Sequence, residues 1–111
     1  MIHSIFNEND KNFKLSTFRK ITYLLNKISL FCDFAFTDED GYNRHLNPGC
    51  VDVIFHHIES GDIHLRINIH SLEIESTPEV EKYIDLIKSI IYNKIDYIQI
   101  DREIKLISIL D

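Results

Sequence analysis

Glycine is scarce in this chain, three in 111 residues. Phosphate-cradling loops need several glycines at fixed spacing, so that backbone N–H groups can close on the anion, and no such loop can be written here. Cysteine is equally sparse. Cys32 and Cys50 are the two present, and neither sits in a C-x-x-C pair, which leaves no zinc knuckle and no redox dithiol. Long apolar runs are missing: none nears the roughly 20 residues that cross a bilayer, so no membrane partner is expected. Residues 1–10 carry neither an apolar signal core nor an early basic cluster. A cytoplasmic location with reduced thiols is the expectation. The motifs G-x-S-x-G and H-E-x-x-H do not occur. No catalytic residue, cofactor or resident metal is assigned, and the chain is read as a non-enzyme.

A basic excess is lacking as well. Eighteen acids face 12 bases, for a formal charge of -6. A nucleic-acid binder carries the opposite balance, so nucleic acid is not the expected ligand.

What remains is the composition of one ordinary globular domain, residues 1–111, with 44% hydrophobic and 27% charged residues. Isoleucine contributes 20 residues and alanine one, Ala35. The β-branched excess favours sheet, and the bias fits an AT-rich coding sequence from a bacterium or phage.

Local patterns divide the chain. Ile2 to Phe6 reads as a short edge strand, and residues 7–12 as a polar loop. Phe18, Ile21, Leu25, Ile28 and Cys32 recur at helical spacing, with Leu24 and Phe31 widening the stripe and Ser16 or Thr17 as cap. A strand follows over 34–37, then a loop of about a dozen residues over 38–50, a length that is often functional. Residues 51–75 read as a hairpin turning at Ser60-Gly61. In that register Ile58 faces Ile63, His57 faces His64 and His56 faces Leu65. Ile54, His56, Ile58, Ile63, Leu65, Ile67 and Ile69 would then form the core face. Leu72 and Ile74 have the opposite parity, which a β-bulge near His70–Ser71 would correct. Thr77-Pro78 opens a second helix with stripe Val80, Ile84, Ile87 and Ile91. Residues 97–110 alternate as strand. The fold class is α+β: two helices packed on a mostly antiparallel sheet, in the order (β)αβββαβ(β).

Three clusters invite chemistry. His57 and His64, as cross-strand neighbours with Cβ atoms about 5 Å apart, would join Glu59 and Asp62 in a possible metal or acid–base site, whereas His64 and His70 would lie about 20 Å apart along one strand. The bland alternative is a solvated polar face. His56 is expected in the core, hydrogen-bonded. Asp38-x-Asp40-Gly41 begins like a calcium loop but fails: its glycine is fourth rather than sixth, and Gly49 occupies the position of the closing Glu. Cys50 follows Pro48-Gly49 close to His45, so a Cys–His pair is conceivable; a structural thiol is the commoner outcome.

The charge map says more. Residues 1–30 carry a net of +3, residues 31–81 a net of -9, and residues 82–111 are neutral. The acids of the middle section, interleaved with apolar residues, form either a solubilising surface or a face that steers a basic partner. Small size, acidity, an AT-rich composition and the absence of a catalytic motif together resemble the immunity proteins of bacterial toxin–immunity pairs, including those of contact-dependent growth inhibition. The resemblance implies a protein that binds a cognate basic toxin, often a nuclease, and occludes its active site. Asp38, Glu39 and Asp40 are the first candidates for that contact, Glu59 and Asp62 the next, and Tyr42 an aromatic anchor. The alternative is a small histidine- or metal-dependent enzyme using His57 and His64. A third reading is an oligomer or adaptor subunit joined through the Ile-rich C-terminal segment.

Overall fold

The structure is a computed structural model that describes residues 2–4, 14–43, 45, 49–71, 73–93 and 95–109. The expected loop at 7–12 lies outside these residues, as do Phe6, Leu72 and residues 44 and 46–48 of the 38–50 connection, whose Gly41–Asn43 is strand rather than loop. Six strands form one antiparallel sheet: β1 Ile2–Ser4, β2 Cys32–Asp38, β3 Gly41–Asn43, β4 Asp52–His57, β5 Ile63–Asn68 and β6 Glu73–Ser76, in spatial order β1-β6-β5-β4-β2-β3. Helix α1 spans Leu15–Lys27; α2 Pro78–Glu81, α3 Ile84–Asn93 and α4 Tyr97–Ile109 follow the last strand. The class is α+β, with helices packed on an antiparallel sheet, as the patterning implied.

Helix α1 buries Phe18, Ile21, Leu24 and Leu25. Its first residue is Leu15 and its N-cap is Lys14, so Ser16 and Thr17 lie inside the first turn rather than capping it. The stripe does not run on to Phe31 and Cys32. The helix stops at Lys27, and Ser29 takes a φ of +66°. Ser29 N–H donates to Asn26 O at 3.1 Å and Leu30 N–H to Leu25 O at 3.0 Å. This is the Schellman ending, with serine where glycine is the usual residue. The Asn26 side chain then locks the helix end to the next strand. Its Oδ1 accepts from Cys32 N–H at 2.7 Å, and its Nδ2 donates to Cys32 O at 3.2 Å.

The core lies between the helices and one sheet face. Phe36, Val53, Phe55, Leu65, Ile67 and Ile74 meet α1, Tyr83, Ile87, Ile90 and Ile91 of the α2–α3 region, and Ile100 of α4. The expected hairpin exists, but its register differs by one. Phe55 pairs with Leu65 and Ile54 with Arg66, and a shift between Phe55 and His56 sets His56 against Ile63. His64 is the extra residue of that bulge. The connection is longer than two residues: His57 N–H donates to Asp62 O at 2.8 Å and Gly61 N–H to His57 O at 2.9 Å. A one-residue slip exchanges faces. The β4 core residues are therefore Val53 and Phe55, and Ile54 and His56 turn away from the helices. Leu65 and Ile67 are core on β5, as expected.

Three further corrections have local causes. No bulge is needed at His70–Ser71, because β5 ends at Asn68 and the chain turns. Asn68 Oδ1 accepts from His70 N–H at 2.9 Å and Ser71 N–H at 2.7 Å, which starts β6 as a separate strand. The helix that opens at Thr77-Pro78 is broken at Lys82–Tyr83 into α2 and α3. The C-terminal segment is helix α4 rather than strand. Asp96 caps it: Gln99 N–H donates to Asp96 Oδ1, and Gln99 Oε1 accepts from Asp96 N–H, each at 2.9 Å. Tyr23 ties α4 to α1 through a 2.6 Å bond from its hydroxyl to Asp101 Oδ1, which holds the phenol above its ordinary pKa, and through edge-on contact with Tyr97 at 4.9 Å.

Replacing Asn26 by Ala removes both bonds to Cys32 while leaving the helix sequence acceptable. The variant is expected to lose about 1 kcal/mol of stability, read as a lower urea midpoint with an unchanged slope.

Candidate functional site

With the helices on one face, the other face of the sheet carries the residues of opposite parity. Asp33, Ala35 and Thr37 of β2 stand beside Asp52, Ile54 and His56 of β4. Arg66 and Asn68 of β5 come next, and then Glu75 of β6, paired with Arg66. Asp52, Arg66, Asn68, Glu73 and Glu75 surround a cleft of about 200 Å³. Arg66 is the single cation among these four carboxyl and amide neighbours, and its Nε is sealed from water with no hydrogen-bond acceptor among the described residues. A second depression, about 360 Å³, is lined by Ala35, Tyr42, Asn43, Ile54, His56 and Gly61. Ile54 forms its floor and is only 2% exposed although it faces away from the helices.

The remaining candidate acids occupy the two ends of the sheet. Asp38, Glu39 and Asp40 form the turn between β2 and β3, where Gly41 has a φ of +116°. Asp38 Oδ1 accepts from Asp40 N–H at 2.8 Å, and Asn43 Nδ2 reaches Asp38 Oδ2 at 3.5 Å. Tyr42 follows and is 73% exposed. Glu59 and Asp62 belong to the β4–β5 turn, with Gly61 at a φ of +77°. Asp52 pairs with Thr37 near the first turn, and His57 pairs with Cys32 near the second. Five strand steps separate these pairs, about 17 Å. The six candidate contact residues are thus two groups, Asp38, Glu39, Asp40 and Tyr42 at one end, and Glu59 and Asp62 at the other.

The histidines have local employment. His57 Nδ1 accepts from Glu59 N–H and from Ser60 N–H, each at 3.1 Å. Nδ1 is therefore the unprotonated nitrogen in this arrangement. His64, on the bulge, has Nδ1 3.4 Å from Thr77 Oγ1, and its carbonyl accepts from Thr77 N–H at 3.0 Å. The slipped register removes the cross-strand facing of His57 and His64, and no group of three or more His, Cys, Asp or Glu side chains is arranged around a metal position among the described residues. His56 is not a core residue; it lines the depression beside Ile54, with Nδ1 3.3 Å from His57 O. Glu79, in the first turn of α2, is held below the usual carboxylate range by its own backbone N–H, by the Thr77 hydroxyl and by the charge of His64.

The two thiols have different surroundings. Cys50 Sγ lies 3.6 Å from the backbone carbonyl of His45. Burial pushes the Cys32 thiol up to about 11, and its sulfur lies 3.5 Å from Leu30 O. Raised from 9.0, Cys32 loses its stabilising contribution as pH climbs toward 11, because the unfolded thiol ionises first.

Sequence patterning missed two residues that the fold leaves in water, Phe31 and Ile58. It had set Phe31 on a helix stripe and Ile58 on a core face, and the features that displace them, the helix stop at Ser29 and the five-residue turn, carry only a Gly61 signal in the sequence. No family model matches the chain, and comparison with curated proteins and with solved structures gave no match.

Both cysteines are buried, each 1% exposed. A disulfide-exchange reagent such as DTNB is expected to leave them unmodified in the native protein at pH 8 and to titrate two thiols after unfolding in urea. Rapid reaction of one thiol in the native state would show that a cysteine is accessible after all.

Proposed function

We propose that this chain is a cytoplasmic immunity protein that binds a cognate basic toxin domain, most simply a nuclease, and blocks it by occupying its active site. The observation that carries the reading is the sorting of charge. Among the described residues, Asp33, Asp52, Glu73 and Glu75 stand on the helix-free side of the sheet with one cation, Arg66, and Asp38, Glu39, Asp40, Glu59 and Asp62 stand at its two ends. Carboxylates so displayed imitate the phosphates that a nuclease's Lys, Arg and His residues are built to hold. The bilayer is not called on: no helix among the described residues is long and apolar enough to cross a membrane. The histidine-based enzyme has lost its geometric support, since His57 and His64 no longer face each other. We therefore read the chain as a binding protein acting without metal or cofactor.

The partner follows from the same chemistry. It carries a basic surface, and in contact-dependent systems it would be the C-terminal domain of a larger protein encoded by the neighbouring gene. That domain, purified, is expected to bind this chain tightly. Neutralising one end, with Asp38→Asn, Glu39→Gln and Asp40→Asn together, is expected to lower the association rate several-fold at low salt, with the difference vanishing near 0.5 M salt. Stopped-flow association kinetics measure both. Absence of any complex between the two proteins refutes the reading.

A further inference from the structure

At the β4–β5 end of the sheet two large apolar side chains are left in water. Phe31 is 59% exposed and Ile58 is 62% exposed. They are neighbours: Ile58 N–H donates to Phe31 O at 2.9 Å, and the Phe31 ring meets the His57 imidazole edge-on at 6.4 Å between centroids. Phe31 also has a φ of +50°, a left-handed conformation that a residue with a Cβ adopts only under strain. Glycine would take that conformation freely and would cost the core nothing, because the ring is not in the core. Strain held at an exposed aromatic residue marks a place where the side chain serves something outside the fold.

The surroundings say what that is. Asp33, two residues after Phe31, and Glu59 and Asp62, in the turn that holds Ile58, are exposed, and residues 28–43 and 45–65 contain no Lys or Arg. An apolar centre with an acidic rim is the arrangement of an interface whose partner has an apolar recess and a basic rim. A second copy of the chain fits badly, since a two-fold contact would bring the same carboxylates against one another. We propose that Phe31 and Ile58 are the anchor of the toxin contact: the Phe31 ring seats in an apolar recess of the basic partner, and Asp33, Glu59 and Asp62 meet Lys or Arg around it. The inference rests on the toxin-binding reading and narrows it to one end of the sheet. The Asp38–Asp40 turn, about 17 Å away along the strands, then steers the approach without seating in the contact.

Two variants test the anchor. Phe31→Gly removes the ring and relieves the backbone, so its melting temperature is expected to equal or exceed that of the parent. Its affinity for the neighbouring gene's purified C-terminal domain is expected to fall about 30-fold or more, mostly through faster dissociation. Ile58→Ser is expected to fall in the same direction with its fold intact. Binding of the parent with undiminished binding of both variants overturns the anchor and leaves the toxin-binding reading in place. No binding by the parent overturns both. A lower melting temperature for Phe31→Gly with unchanged affinity of Ile58→Ser makes the patch structural and also overturns the proposal. So does a dimer in sedimentation that Phe31→Gly dissolves, which assigns the patch to a second copy.

Discussion

The contact on which the rest of the molecule depends is the seating of Phe18 on the aromatic side chains of the sheet. The Phe18 ring lies 5.5 Å from Phe36, 6.0 Å from Phe34 and 6.4 Å from Phe55, and Phe34 in turn touches Phe36 and Phe55. These are edge-to-face and tilted contacts, the arrangements that aromatic quadrupoles favour. They decide which face of β2 and β4 the helices cover. Once Phe34, Phe36 and Phe55 point at α1, strand alternation sends Asp33, Ala35, Ile54 and His56 to the other side. The acidity of the open face is thus a consequence of the core, and neither can be moved without the other.

That dependence explains where the sequence was readable. Helix α1 announces itself because Phe18, Ile21 and Leu25 keep helical spacing while polar residues fill the gaps. Thr77-Pro78 marks a helix start through backbone chemistry alone. Strand β4 is another matter. Val53, Ile54 and Phe55 are all apolar, so either parity gives a plausible core, and only the register decides. The register in turn hangs on the turn length and on the His64 bulge, both of which depend on backbone bonds that no periodicity records. The C-terminal segment failed differently. Ile98 and Ile100 alternate like a strand, yet Ile100, Ile104 and Ile107 keep the 4, 3 spacing of a helix, and they are the residues that pack inward. The β-branched content obscured a signal that Asp96-x-x-Gln99, a reciprocal cap, supplies plainly.

The candidate site was legible as a sum and not as a shape. The excess of acids between residues 31 and 81 can be counted from the chain. That it divides between two turns and a sheet face cannot, because the division follows from β2 and β4 running in opposite directions. Phe31 was hidden for a similar reason. Its spacing from Phe18 and Leu24 fits the helix, and only the left-handed residue at Ser29 ends the helix before Phe31 can join it. Serine is not a strong signal for that conformation, so the exposure of Phe31 has no local motif to betray it.

Arg66, the one cation among the described residues of the open face, makes the acidic display sustainable. Glu73 and Glu75 on β6 share one sheet face with Asp52 on β4, with strand β5 between them, and like charges gathered on one face repel. Arg66, directly opposite Glu75 and between the strands that carry the others, offsets the repulsion at the centre of the row. Its Nε is sealed from water with no acceptor among the described residues, and carboxylates and an amide line the cleft beside it. Because one positive charge faces several negative ones, the face stays acidic after this compensation. A fold that needed only solubility would gain nothing by crowding carboxylates until they require an internal counter-charge; dispersing them over the helices would serve as well. Crowding with partial compensation fits a surface kept negative for a partner, and the position of Arg66 fits the limit the sheet sets on how negative it can become.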